Sequence, residues 1–147
     1  MKKIKAETLS DMQNYKLLSG SIIPRPIAFV TTQNLKGDIN AAPFSFFNVV
    51  NHTPPMIAIA VQRTNGNRKD TSINIRFECK LHQIVQLGNK DNGSDLIIGE
   101  IVMYHIDEEV YFEDSKIDAN QLNPVARLAG NDYSLLGQTF TVNRPTS

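Results

Sequence analysis

Along much of this chain apolar and polar residues alternate with the two-residue period of extended backbone, and the helical period is rare. Ile27 to Thr32 (IAFVTT) has the β-branched and aromatic content of a strand. Lys36-Gly37-Asp38 supplies a turn, after which Ile39 to Asn51 returns as extended chain. Pro54-Pro55 stops that segment, and Met56 to Gln62 (MIAIAVQ) hardly alternates, the pattern of a strand buried on both faces. A polar loop, Arg63 to Asp70, follows, and Thr71 to Ile75 begins like a helix with Asp70 or Thr71 as its N-cap. Phe77 to Leu87 alternates as a long strand, Asn89 to Gly93 turns the chain, Leu96 to Ile106 is a second long strand, and Val110 to Phe112 a short one. Near the start, Tyr15 to Leu18 reads as a short helix or turn leading to Gly20. Ile22 to Pro26 must then be extended, because residues before proline avoid the helical region.

At least five strands with little helix predict a mainly β, antiparallel barrel or sandwich carrying one or two short helices. No repeat, low-complexity tract or linker interrupts the 147 residues, so residues 1–147 read as a single domain. A domain of that length buries roughly 68–70% of the surface its unfolded chain exposes, without a metal or disulfide staple. The single cysteine, Cys79, alternates with Lys80 and His82 and reads as an inward-pointing strand residue. It excludes a disulfide framework and any multi-cysteine zinc site.

Fifteen basic and fifteen acidic residues cancel. That removes the cationic field on which nonspecific binding to nucleic acid or an anionic membrane depends, so neither is an expected partner. The N-terminal MKKIKAETLSDMQNYKLL has basic residues but no long apolar run, and no segment reaches the length of a bilayer span. A cytoplasmic location is the resulting expectation.

The unusual stretch is Asn40 to Asn48 (NAAPFSFFN), where small residues, a hydroxyl and amides replace the bulk of an ordinary strand. It holds no acid, base or activated nucleophile, so it is no hydrolytic site, and no catalytic residue is assigned. Ala41 and Ala42 would let a flat ring approach the main chain, and Ser45 and Asn48 offer groups that satisfy ring heteroatoms, a ribityl chain or phosphate. The competing reading is an edge strand of small residues packed under a loop, with Phe44, Phe46 and Phe47 in the core. Arg68-Lys69-Asp70-Thr71 follows the loop sequence TNGN at the predicted helix start, where cation, hydroxyl and free amides suit a phosphate, although basic residues before a capped helix also occur on plain surfaces. Arg25, held between two prolines, either aims at an anion or makes a surface salt bridge. His52, His82 and His105 lack close ligand spacing, so no metal site is expected. Glu108-Glu109 and Glu113-Asp114 read as solvated turn charges, and no G-x-G-x-x-G fingerprint is present.

Six motifs follow one another in a recognisable order: PRPIAFVTT (Pro24 to Thr32), NAAPFSFFNVVNHTPPMI (Asn40 to Ile57), RKDTSINI (Arg68 to Ile75), ECKLHQIVQLG (Glu78 to Gly88), IIGEIV (Ile97 to Val102) and VARLAGNDYS (Val125 to Ser134). Together they resemble the flavin reductase-like, FMN-binding split-barrel family, which includes flavoredoxins and the reductase components of two-component flavin monooxygenases. The resemblance implies a six-stranded antiparallel split β-barrel of Greek-key type and a homodimer with FMN near its interface. It also implies hydride transfer from NADH or NADPH to the flavin, with a monooxygenase or another electron acceptor downstream. Carried onto this chain, it implies that Thr31, Thr32, Ala42, Pro43, Ser45, Phe46, Asn48 and Val49 line the FMN and that Lys69 and Thr71 hold its phosphate. Arg127, Gly130 and Tyr133 match a C-terminal motif expected near the site or the interface. Two alternatives are a noncatalytic FMN-binding electron carrier and a shortened relative that has lost the cofactor.

The chain departs from the family at one place. A strand and a helix intervene in the family where Ile75-Arg76 here runs straight into Phe77-Glu78. The barrel is then expected to close with fewer strands or to borrow one from a partner.

Overall fold

The computed structural model describes residues 1–33, 36–62, 75–89 and 93–143. After a 3-10 turn at Ala6–Thr8, helix α1 spans Asp11–Ser21. A capping box starts it: Ser10 Oγ accepts from the Gln13 amide at 3.3 Å, while the Ser10 N–H donates to Gln13 Oε1 at 2.9 Å. The helix is therefore longer than Tyr15 to Leu18, and the signal that locates its start is Ser10-x-x-Gln13.

Strand β1 (Ala28–Gln33) pairs antiparallel with β2 (Ile39–Phe44), which places Thr31 opposite Ala41 and Val30 opposite Ala42. The extended segment expected over Ile39 to Asn51 is two strands. Ser45 and Phe46 bend out of the ladder, and β3 (Phe47–His52) joins a different sheet. That sheet has the order β3-β4-β6-β5, with β4 spanning Pro55–Gln62, β5 Ile75–Leu87 and β6 Ser94–Ile106. All of its pairings are antiparallel, with irregular register at Val49/Asn51 in β3 and twice along β5. The polar loop Arg63 to Asp70 and the helix start at Thr71 lie outside the described residues.

β4 sits between β3 and β6, and its consecutive residues Ile57, Ala58 and Ile59 are all buried, as its unbroken apolar run predicts. Ile101 of β6 adds to this core. Gly99, opposite Ile57 on one side and Leu81 on the other, permits the close approach of β5: a Cβ there would stand 3.2 Å from the Cys79 Cβ. β5 ends at Gly88, whose φ of +72° and proximity to the Gly93 backbone suit a residue without a side chain.

The chain continues through 3-10 turns at Glu108–Val110 and Glu113–Ser115 and two short strands, β7 (Tyr111–Phe112) and β8 (Lys116–Ile117). Helix α2 (Ala119–Leu122) follows, capped by the Asp118 carboxylate, and the two-residue strands β9 (Ala126–Arg127) and β10 (Tyr133–Ser134) pair with each other. The glutamates and aspartate in the two 3-10 turns are exposed. No helix among the described residues is long and apolar enough to cross a membrane.

The surface is far larger than the mass requires. The chain exposes 12656 Å², whereas a folded monomer of 16.4 kDa exposes about 7,500 Å². Much of the excess is apolar, including Phe77, Leu81 and Ile84 on β5 and Val102, Met103 and Tyr104 on β6. Cys79 is exposed as well, contrary to the inward-pointing residue expected from alternation. This strand lies at the edge of its sheet, its register shifts at Glu78/Cys79 and Leu81/Gln83, and nothing among the described residues covers it.

Candidate functional site

The corner at Ser45–Phe46 is where the two sheets meet. The Phe46 carbonyl accepts from the Ala60 N–H of β4 at 2.9 Å, which ties the corner to the buried strand. The N–H groups of Ser45 and Phe46 donate to no carbonyl among the described residues. Two successive main-chain donors are therefore left over beside small side chains, an arrangement that proteins fill with water or with acceptors on a ligand.

Side-chain groups around the corner are open in the same sense. The hydroxyls of Thr31, Thr32 and Ser45 make no hydrogen bond to a described residue. Directly opposed residues share a face of an antiparallel ribbon, so Thr32, Asn40, Val30 and Ala42 lie on one face of β1–β2, and Thr31, Ala41 and Pro43 on the other. A flat ligand on one face meets the side chain of only one of the two threonines. In β3, Asn48 pairs with Ala58 and Val49 with Ile57, and the Asn48 side-chain oxygen accepts from the Val49 N–H at 2.9 Å. Its amide donors remain available. Ala42, Pro43, Ser45, Phe46, Asn48 and Val49 flank one bend, Ala42 and Pro43 on opposite faces of β2, with Thr31 and Thr32 on the neighbouring strand. Lys69 and Thr71 lie outside the described residues.

Phe46 is engaged through its ring. Tyr15 of α1 lies 6.4 Å away, ring centre to ring centre, and the Arg25 guanidinium carbon stands 5.7 Å from the centre of the Phe46 ring. Phe46 therefore holds the corner with its side chain and offers its N–H to the site.

Sequence reading missed the role of Arg25. It is 6% exposed and makes neither a surface salt bridge nor a contact with any carboxylate among the described residues. Its guanidinium donates instead to the carbonyls of Ser19, of Ile22 at 3.4 Å and of Leu128 at 2.8 Å. Ser19 and Ile22 are at the C-terminal end of α1, the negative end of the helix dipole, so the buried cation is matched by oriented carbonyls. Its backbone exchanges hydrogen bonds of 3.0 and 2.9 Å with Arg127. Arg127 in turn donates to the Tyr133 hydroxyl and the Gly130 carbonyl and lies over the Tyr133 ring, 4.6 Å from its centre. The C-terminal motif is thus knotted onto itself and joined to the corner through Arg25 and Phe46.

No three His, Cys, Asp or Glu side chains among the described residues come close enough to share a metal ion. Among the described residues, His105 Nε2 stands 2.6 Å from Glu78 Oε1, exposed on β5–β6. Burial pushes the Cys79 thiol's pKa up from its ordinary value of 9.0, so the reactive thiolate is scarce near neutrality. The rate of iodoacetamide alkylation is accordingly expected to be still climbing at pH 9.0, and a plateau reached below that pH would contradict it.

Comparison with known proteins bears on the family and the fold. The Flavin reductase like domain model matches residues 19–76. An uncharacterized protein of Bacillus subtilis, YwrF, is 38% identical over 201 aligned positions that cover 96% of this chain and 98% of the relative. The chain itself has 147 residues, so YwrF carries positions without a counterpart here. The domain match ends at Arg76, the place where a strand and helix are missing from the motif order. Among solved structures, nitrilotriacetate monooxygenase component B from Bacillus cereus superposes with a TM-score of 0.86 at 32% identity, covering 97% of this chain and 98% of the other. The 2-nitrobenzoate 2-nitroreductase NbaA of Pseudomonas fluorescens superposes with a TM-score of 0.83 at 26% identity, covering 99% and 97%. With the motif order, the two-sheet architecture and these relatives in agreement, the chain belongs to the flavin reductase-like family and has its split-barrel fold.

Proposed function

We propose that the chain is an FMN-binding oxidoreductase of the flavin reductase type that takes a hydride from NADH or NADPH. The observation that carries this reading is the corner at Ser45–Phe46: among the described residues it has two main-chain donors without a carbonyl partner, three hydroxyls without a hydrogen bond and small residues, with no acid–base constellation beside them. Such a set fits a flat ring with acceptor atoms on its edge, and it fits no hydrolytic chemistry. When bound, FMN supplies the redox chemistry itself, and the protein provides orientation and exclusion of water.

In this reading the Ser45 and Phe46 N–H groups hold acceptors on the ring edge, and the Asn48 amide donates beside them. Ala42 and Pro43 keep the approach to the main chain open, and Val49 lends an apolar wall. Thr32 or Thr31 contributes a hydroxyl according to the face occupied. Lys69 and Thr71 hold the phosphate through charge-assisted contacts worth about 1.5–3 kcal/mol each.

The likeness to a monooxygenase component B supports a monooxygenase or a similar acceptor as the destination of the electrons. The surplus surface supports a homodimer, with the flavin near the interface. An obligate interface buries ~2,000–5,000 Å² in total, which fits within the excess of this chain.

Purified protein is expected to be yellow and to release fluorescent FMN on denaturation. A colourless protein that cannot be reconstituted would sink the proposal and leave the shortened relative without cofactor. Anaerobic mixing with NADH or NADPH is expected to bleach bound FMN. Bleaching by dithionite alone would instead identify an electron carrier. Lys69→Ala combined with Thr71→Ala is expected to weaken FMN retention roughly tenfold or more, and unchanged flavin content would refute the phosphate assignment.

A further inference from the structure

Phe46 is anchored by its carbonyl and by its ring, while its N–H is left over. The carbonyl accepts from the Ala60 N–H of β4 at 2.9 Å. The ring lies 6.4 Å from that of Tyr15, centre to centre and inclined at 57°, and its centre is 5.7 Å from the Arg25 guanidinium carbon. Carbonyl, side chain and amide nitrogen branch from one tetrahedral carbon, so anchoring two of them limits where the third can lie. The direction in which Phe46 presents its N–H is therefore set by β4 and by the two neighbours of its ring.

Of those neighbours Arg25 is the firmly held one. Pro24 and Pro26 flank it, its backbone is bonded to Arg127 in both directions, and its guanidinium donates to the carbonyls of Ser19, Ile22 and Leu128. Tyr15 is 43% exposed and makes no hydrogen bond to a described residue. Joining α1 to Leu128 does not account for all of Arg25, because its buried Nε has no hydrogen-bond partner among the described residues. A buried donor left unmatched weakens a fold and calls for a reason. Here the guanidinium stands over the Phe46 ring, where the ring's electrons attract a cation.

We infer that Arg25 is a positioning residue for the flavin: by holding the Phe46 ring it aims the main-chain donors of the Ser45–Phe46 corner at acceptors on the edge of FMN. This inference rests on the FMN reading proposed above and adds to it the group that fixes the donors. Arg25 acts through Phe46 and not by contact with the flavin. Reduction adds electron density to the flavin ring, and donors fixed in advance stabilise such charge according to how well they are aimed. Loosening the corner therefore weakens the binding of reduced FMN more than that of oxidised FMN, whereas a general loss of stability weakens both alike.

A double-mutant cycle on the full chain tests it, with FMN as the probe. Arg25→Lys keeps a charge without the planar fork, and Phe46→Leu keeps the main-chain donor without the ring. Each change alone is expected to weaken binding of oxidised FMN about tenfold in fluorescence titration, and the two together no more than the larger of them. Reduced FMN is expected to lose a further factor of ten, read as a reduction potential about 30 mV more negative in each variant. Single effects that multiply in the double variant, or a potential that stays at the parent value, overturn the positioning role and leave FMN binding standing. A second series leaves Arg25 in place and so survives an Arg25→Lys chain that does not fold. Phenylalanine carrying one, two or three ring fluorines is incorporated at position 46, each fluorine weakening the ring's attraction for a cation at nearly constant shape. A stepwise fall in potential is expected, and a flat series overturns the role of Arg25. A parent chain that binds no FMN removes the flavin reading and this role with it.

Discussion

Arg25→Met is expected to destabilise the protein by about 2–5 kcal/mol, since each buried polar group stripped of its partner costs ~1–3 kcal/mol. The parent guanidinium serves three carbonyls, those of Ser19, Ile22 and Leu128, and two of these end α1. Methionine fills much of the volume but donates nothing, so the buried Ser19 oxygen and the part-buried Ile22 and Leu128 oxygens lose their partner, while the Arg25 Nε, which has no partner in the parent, is removed as well. Removing a buried charge is favourable when its partners are replaced with it. Here they are backbone and stay behind, so the loss dominates. Arg25→Lys keeps the charge but not the planar fork that spans Ser19 and Leu128, and an intermediate loss is expected. Urea denaturation at constant slope measures both variants. A Met variant as stable as the parent would show that the desolvated charge already offsets its three bonds.

The second large effect is expected at β4. Ile59→Ala should cost about 2–5 kcal/mol, a serious fraction of the ~5–15 kcal/mol that typically holds a domain together. Ile59 is opposite Phe47 on one side and Ile97 on the other, in a strand that presents three consecutive buried residues. With so few buried apolar side chains, little nearby bulk is available to collapse into the cavity. Ile39→Ala, at a position 73% exposed on β2, removes the same atoms and is expected to change stability by less than ~0.5 kcal/mol. Equal effects of the two substitutions in urea denaturation would show that β4 is not the centre of the core.

These two residues differ in how far their roles can be read from the chain. The burial of Ile59 is legible because MIAIAV is an unbroken apolar run, and only a strand covered on both faces accommodates it. The role of Arg25 is not legible: one of its acceptors lies 103 residues away, and flanking prolines restrict its backbone without choosing its partner. The same contrast divides the candidate site. Small residues and hydroxyls in NAAPFSFFN indicate an open main chain. The break at Ser45–Phe46, which leaves two N–H groups without a carbonyl partner among the described residues, follows from the strands engaged on either side.

The sequence by itself determined most of the long strands, the buried β4 and the family, because these depend on local periodicity and on the order of motifs. Only the tertiary structure decided which surfaces are covered: it leaves β5 with an exposed Cys79, turns Arg25 inward onto helix carbonyls and holds Phe140 away from the body. Alternation along a strand states which residues share a face, and only the neighbouring sheet or subunit determines whether that face meets water.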